Sequence, residues 1–171
     1  DLRKGYNLAD LIESLLNHLP NLNRLRISSI DPSEIDEKLI FLIQNQPRFM
    51  PYFHLSVQSG DDMILKRMKR RHSVQDVKEV CRKIIKVRPE SIFGADFIAG
   101  FPTETEEMFL NTLNLVKECN ITMLHVFPYS VRQGTPAAKM PQIPINIIKD
   151  RAKVLREVGA SMRKKIFKKY I

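Results

Sequence analysis

The chain has 171 residues, 43% of them hydrophobic and 8% aromatic, with 28 Lys and Arg against 19 Asp and Glu for a formal net charge of +9. This apolar content excludes disorder of the whole, the length suits one domain of roughly 100–200 residues, and no apolar run approaches the roughly 18 residues of a membrane span. The opening Asp1-Leu2-Arg3-Lys4-Gly5 lacks the apolar stretch of a signal peptide, so a soluble, cytoplasmic protein without membrane attachment is expected.

Leu8, Leu11, Ile12, Leu15, Leu16 and Leu19 recur on one face of a helix that His18-Leu19-Pro20 closes. Leu22 to Ile30 reads as a strand. Asp31-Pro32-Ser33-Glu34 then opens a helix, with Ser33 or Asp31 as cap, that runs to about Asn45. Tyr52 to Gln58 is the next strand, closed by Ser59-Gly60. Helices follow over Asp61–Met68 and Ser73–Arg88, the second opened by the capping pattern Ser73-x-x-Asp76. Ile92 to Ala99 is a third strand, ended by Gly100-Phe101-Pro102, and Thr103 or Thr105 caps a helix that carries Phe109, Leu113 and Val116 to about Glu118. Thr122 to Phe127 is a fourth strand, and an irregular segment leads to a final basic helix from about Ile145. The two cysteines, Cys81 and Cys119, fall within helical patterns without a Cys or His at ligand spacing, and read as core thiols.

Strands alternating with helices at these spacings predict an α/β fold with a parallel sheet and right-handed crossovers. Side chains alternate along a strand with period 2. If Leu25, Ile27, Phe53, Leu55, Val57, Phe93, Ala95, Phe97, Leu124 and Val126 face the helices, the other face receives Arg24, Arg26, Ser28, His54, Ser56, Gln58, Gly94, Asp96 and His125. A closed barrel fills its interior mainly with branched apolar layers, so this polar face implies an open or partial barrel whose concave side holds a ligand. The competing reading is that these groups satisfy one another. Ligands of parallel α/β folds lie at the carboxyl ends of the strands. There Gly60 and Gly100 permit close backbone approach or positive φ, and the helix starts behind them present free N–H groups.

As an ordered set, five segments resemble the radical SAM methylthiotransferases of tRNA. They are Leu25-Arg26-Ile27-Ser28-Ser29-Ile30-Asp31-Pro32, His54-Leu55-x-x-Gln58-Ser59-Gly60, Leu65-x-x-Met68-x-Arg70, Gly94-x-Asp96-x-Ile98-x-Gly100-Phe101-Pro102-x-Glu104-Thr105-Glu106, and His125-Val126-Phe127-Pro128-Tyr129-Ser130-x-Arg132-x-Gly134-Thr135-Pro136-Ala137. Within that family they are most similar to the branch acting on N6-threonylcarbamoyladenosine beside the anticodon. The resemblance implies a partial, open TIM-type barrel, with this chain supplying its later strands over about residues 20–140 and a terminal basic helix over 145–170. The family's amino-terminal methylthiotransferase domain, its Cys-x-x-x-Cys-x-x-Cys cluster loop and its carboxy-terminal TRAM domain are absent from residues 1–171, so the chain alone is expected to be inactive. In the family a [4Fe–4S] cluster cleaves S-adenosylmethionine (S-adenosyl-L-methionine) to a radical that activates C2 of the adenine.

The same resemblance implies cofactor contacts. Ser28 and Ser29 lie at a strand end, Gln58 and Ser59 bond the ribose or methionine group, and Arg70 takes the methionine carboxylate. Asp96 through Gly100 to Glu104 line the adenosine side, while Phe127, Pro128 and Tyr129 offer backbone groups and a flat surface to adenine. The sequence departs from the family's usual Pro at Ser56 and Val131, and from its usual Gly at Thr103, where positive φ would strain a Thr.

The positive excess is confined to residues 66–88, with ten bases and two acids, and residues 149–171, with nine and two. Lys66, Arg67, Lys69 and Arg71 are candidates for RNA phosphate contact, against the plainer reading of cations near a helix carboxyl end. The terminal helix leads, in the family, toward the RNA-binding domain. Beside this tRNA-modifying radical enzyme stand other readings: a methylthiotransferase acting on isopentenyladenosine tRNA or a ribosomal protein, a non-catalytic RNA-binding remnant, and an aldolase or isomerase using Asp96, His54 or a Lys as base. No Lys lies on a predicted strand, which counts against Schiff-base chemistry. An unpaired barrel edge at Leu25–Ser29 predicts self-association.

Overall fold

A computed structural model describes residues 5–169. Helix α1 (Leu8–His18) opens on a reciprocal cap: the Asn7 side chain accepts from the Asp10 amide and the Asp10 carboxylate accepts from the Asn7 amide. Free donors of the first turn are thereby satisfied. Ala9, Ile12 and Leu16 are buried, whereas Leu11 and Leu15 face outward.

The strand expected over Leu22–Ile30 does not form as a regular element. The segment meets the following strand only at isolated parallel bridges, Leu25 with Phe49 and Ile30 with Leu55. Five residue steps separate Leu25 from Ile30 but six separate Phe49 from Leu55, so the pairing carries a one-residue bulge between the bridges, its extra residue on the Phe49–Leu55 side. Ile27 and Ile30 both turn toward the core. The physical reason is its position: among the described residues it has a hydrogen-bonding neighbour on one side only, and such a ladder, carrying exposed Arg24 and Arg26, tolerates a bulge. The helix expected from Asp31 to Asn45 is also divided. Asp31 caps a 3₁₀ turn, Pro32–Glu34, the chain is extended at Ile35 and Asp36, and the Asp36 side chain then caps α2 (Glu37–Asn45).

The remaining elements follow the predicted order. They are β1 (Tyr52–Gln58), α3 (Asp62–Arg67), α4 (Val74–Val87), β2 (Ile92–Ala99), α5 (Glu106–Glu118), β3 (Ile121–Pro128), a 3₁₀ turn (Pro136–Lys139) and α6 (Ile145–Lys169). Ser73 and Asp76 form the complete capping box of α4, and Thr105, not Thr103, caps α5. The sheet is parallel in the order β1-β2-β3, with His54 opposite Gly94 and Asp96 opposite His125.

Phe53, Leu55 and Val57 of β1 and Phe93, Ala95 and Phe97 of β2 are buried with Leu39, Ile43, Val77, Ile84, Leu115 and Val116 of the helices. Burial of each large side chain among them stabilises the fold by about 1.5–3 kcal/mol. Two glycines are required by this packing. A Cβ on Gly60 would lie 2.9 Å from the Asn111 carbonyl oxygen of α5, and one on Gly100, whose φ is +74°, would lie 2.6 Å from Ile148 Cγ1 of α6. Among the described residues no helix is long and apolar enough to cross a membrane.

Candidate active site on the polar sheet face and its basic rim

The alternation of β1 and β2 places His54, Ser56 and Asp96 on the face opposite the helices, as expected. Their groups form one network. His54 Nε2 donates to Asp96 Oδ1 at 2.9 Å, and the Tyr52 hydroxyl lies 3.3 Å from His54 Nδ1. His125 Nδ1 stands 3.3 Å from the same Asp96 oxygen. Ser29 Oγ donates to Asp96 Oδ2 at 3.0 Å and lies 2.6 Å from Ser56 Oγ. The polar groups therefore do satisfy one another, although His125 retains 62% side-chain exposure. Because of the bulge, Ser29 rather than Ser28 turns onto this face. Arg26 does lie there, its guanidinium carbon 3.9 Å from the Tyr52 ring centroid.

The strand ends carry a second arrangement. A cleft of about 490 Å³ is lined by Arg67, Lys69 and Arg70 together with Ile98 at the end of β2, Phe101, and Thr135 to Ala137. Sequence-distant parts of the motif set, two bases of the proposed RNA block and Arg70 thus share one cleft with an apolar floor. Arg70 is drawn toward Asp31, 3.5 Å away, and Arg71 pairs with Glu34 at 3.1 Å on the surface; Lys66 and Lys69 are exposed. Gln58 leaves β1 with φ 67°, and Ser59 turns inward, its hydroxyl accepting from the Asp61 amide at 3.3 Å. Phe127 and Pro128 are exposed at the end of β3. Tyr129 donates its amide to Ala99 O at 2.9 Å and meets Phe101 edge-on.

Two buried ionic groups hold this rim. Glu104 accepts from the Gly100 amide at 3.0 Å and from Arg151 Nη1 at 2.9 Å, and the same nitrogen donates to the Glu104 carbonyl. Burial pushes the Glu104 carboxyl above its usual range although Arg151 and the Gly100 amide oppose the shift. Behind the α3–α4 turn, buried His72 bridges Asp31 at 3.2 Å and the Val57 carbonyl at 3.1 Å. Burial also works against ionised Asp31, but bonds from the Ser33 hydroxyl and amide, with His72 alongside, outweigh it and hold that carboxyl low. Thr103, at φ 68°, does occupy the backbone region that suits Gly.

Sequence reasoning missed the relation between the cysteines. Cys81 of α4 and Cys119 at the end of α5 are both buried and face one cleft. The neighbouring thiol and burial push the Cys81 thiol well up, and that same neighbour holds the Cys119 thiol down. They line a cleft of about 570 Å³ with Ile92 and Asn120, at the amino ends of β2 and β3 and so opposite the rim. Helix periodicity places each thiol inward, but their meeting depends on how α4 and α5 pack.

The model of the radical SAM superfamily matches residues 4–116. The chain belongs to the radical SAM superfamily. This radical SAM chain is 56% identical over 171 residues to the threonylcarbamoyladenosine tRNA methylthiotransferase MtaB of Rickettsia prowazekii (strain Madrid E), which covers 100% of the chain and 41% of that relative. It is 36% identical over 168 residues to the protein of the same name in Bacillus subtilis (strain 168), covering 98% of the chain and 37% of the relative. It is 39% identical over 154 residues to the tRNA-2-methylthio-N(6)-dimethylallyladenosine synthase of Ehrlichia chaffeensis (strain ATCC CRL-10679 / Arkansas), covering 90% and 35%. The chain thus spans about two fifths of the length of these relatives.

Coproporphyrinogen III oxidase from Escherichia coli, a radical SAM enzyme, superposes with a TM-score of 0.67 at 20% identity, covering 91% of this chain and 38% of that one. A radical S-adenosylmethionine methyltransferase from Kitasatospora setae, with cobalamin and a [4Fe–4S] cluster bound, gives 0.61 at 15% identity, covering 76% and 26%. These likenesses establish the fold: the three parallel strands are part of an open TIM-type barrel. The superfamily's cluster does not fit the cysteines of this radical SAM chain, because a cluster of this kind takes a full set of thiolates and Cys81 and Cys119 are buried away from the strand ends. The cleft at the rim, with Arg67, Lys69 and Arg70 above an apolar floor of Ile98 and Phe101, has the chemistry to hold a carboxylate beside an aromatic base, the two groups that S-adenosylmethionine carries.

Proposed function

We propose that the chain is the later part of a radical SAM methylthiotransferase that modifies N6-threonylcarbamoyladenosine beside the anticodon of tRNA. The observation that carries this reading is the 56% identity over all 171 residues to the R. prowazekii enzyme of that description. In this reading residues 1–171 are a partial radical SAM domain and, without cluster ligands, are inactive alone. S-adenosylmethionine, when bound, brings a transferable methyl group and a precursor of a carbon radical.

The chain's own residues would hold and orient it. Arg70 faces the methionine carboxylate, Gln58 and Ser59 the ribose or methionine group, and Ser29 and Asp96 the polar face beneath, from which Ser28 is turned away. Gly100 shapes the loop that carries Phe101. Phe127, Pro128 and Tyr129 form the wall beside adenine. Lys66, Arg67, Lys69 and Arg71 face the tRNA phosphates. Self-association through the edge at Leu25–Ser29 stays a proposal, and its bulge and exposed arginines weigh against it; sedimentation of the chain as a dimer would support it. The protein would work in the cytoplasm, where tRNA is.

The test is mass spectrometry of tRNA nucleosides from cells lacking the complete gene. Loss of the 2-methylthio group from threonylcarbamoyladenosine is expected. Intact modification would overturn the reading, and loss from dimethylallyladenosine instead would move the assignment to that substrate.

A further inference from the structure

We propose that His54, Asp96 and His125 form a binding site for a divalent first-row transition ion of the zinc type. One residue comes from each strand of the sheet, and their ligand atoms all lie within 4.8 Å of one another. In a tetrahedral zinc site with bonds of about 2.0–2.2 Å, neighbouring ligand atoms stand roughly 3.3–3.5 Å apart. The His54 Nε2 to Asp96 Oδ1 separation of 2.9 Å and the His125 Nδ1 to Asp96 Oδ1 separation of 3.3 Å are already near that value. The wider gap, between the two imidazoles, closes by turning His125, whose side chain is 62% exposed.

Groups around the three ligands are placed as metal sites require. A ligating imidazole is normally oriented by a bond at its other nitrogen, and a ligating carboxylate at its other oxygen. Here the Tyr52 hydroxyl lies 3.3 Å from His54 Nδ1, and Ser29 Oγ donates to Asp96 Oδ2 at 3.0 Å. Both leave His54 Nε2 and Asp96 Oδ1 for the ion. On binding, the His54 proton moves from Nε2 to Nδ1, where the Tyr52 oxygen accepts it, and the His125 proton moves to its solvent-facing Nε2. Each ring stays neutral as a ligand. Gly94 makes room for this: a Cβ there would stand 2.7 Å from His54 Nδ1 and would also strike the Tyr52 hydroxyl. Two imidazoles and one carboxylate suit zinc, iron or cobalt in the divalent state rather than Mg²⁺ or Ca²⁺, which prefer oxygen. Three protein ligands leave a fourth position, toward the concave side of the sheet.

The site shares Asp96 and Ser29 with the face that the methylthiotransferase reading sets beneath S-adenosylmethionine, but its test uses the metal alone and does not depend on that reading. Titration of Zn²⁺ and Co²⁺ into the purified 171-residue chain tests it, with Co²⁺ followed by its visible spectrum. One equivalent should bind, with ligand-field bands and no thiolate charge-transfer band. His125→Ala, whose exposure leaves the fold intact, and Asp96→Asn should abolish uptake. Tyr52→Phe and Ser29→Ala should weaken it about 10–100-fold, and Cys81→Ser should leave it unchanged. A thiolate band would place the ion at Cys81 and Cys119 and overturn the proposal. So would uptake indifferent to His125→Ala, or no stoichiometric uptake, in which case the three residues are a hydrogen-bonded network alone.

Discussion

Replacing Arg151 by Met should destabilise the chain by about 3–5 kcal/mol at neutral pH, the cost of stranding a buried charge by removing its partner. Arg151 and Glu104 retain only 8% and 1% of their side-chain exposure. Without the guanidinium, Glu104 keeps the Gly100 amide as a partner and loses the 2.9 Å ion pair, while its own carbonyl loses a donor as well. Glu104 already holds its proton more readily than an ordinary carboxyl, because of burial, and loss of Arg151 raises that affinity further. A carboxyl whose folded-state pKa is raised adds stability as it takes up a proton. The penalty of Arg151→Met should therefore shrink as pH falls through the raised Glu104 value, by up to about 1.4 kcal/mol per pH unit. Urea denaturation of wild type, Arg151→Met, Glu104→Gln and the double variant from pH 7 downward measures all of this. The double variant should lose less than Arg151→Met alone at pH 7. A penalty below about 1 kcal/mol, or one independent of pH, would refute the assignment of Arg151 as partner to an ionised Glu104.

Thr103→Gly should raise stability by about 0.5–1 kcal/mol, since relief of the left-handed backbone outweighs the greater freedom of Gly in the unfolded chain; a loss in thermal denaturation would count against strain at φ 68°. Asp31→Asn should cost roughly 1–2 kcal/mol at pH 7 through weaker bonds to Ser33 and His72. Because the folded Asp31 carboxyl titrates below 3.8, the wild-type advantage is present above that value and is lost as pH falls through the lower one; a difference that persists in acid would contradict it. On the proposed tRNA-modifying reading, Lys66→Ala and Lys69→Ala should each reduce the slope of log tRNA affinity against log salt by about 0.7–0.9. An unchanged slope would remove that residue from the RNA face.

Strong local signals carried most of the fold. Tyr52–Gln58 and Ile92–Ala99 are bounded by Gly and Pro and alternate cleanly, so both strands were legible to the residue. The edge segment was not, because its alternation is broken by a bulge that depends on having one neighbour. The same shift exchanged Ser28 for Ser29 on the polar face. His54, Asp96 and His125 were legible as polar residues of one face, but Tyr52 and Gly94, which orient and accommodate His54, gave no signal of their own. Arg151 was hidden for the opposite reason. It is one of nine bases over residues 149–171, and only tertiary packing singles it out for burial.

Helix α6 is joined to the sheet at successive turns. Ile148 fills the space at Gly100, Arg151 holds Glu104, Arg156 Nη2 donates to the Val126 carbonyl at 3.0 Å, and Gly159 faces Leu124 so closely that a Cβ there would lie 3.2 Å from Leu124 Cβ. A helix that reads as a basic lead toward another module is thus the outer wall of β3 and the brace of the rim. A boundary drawn after β3 would keep β1, β2 and β3 and still dismantle the loop that ends β2.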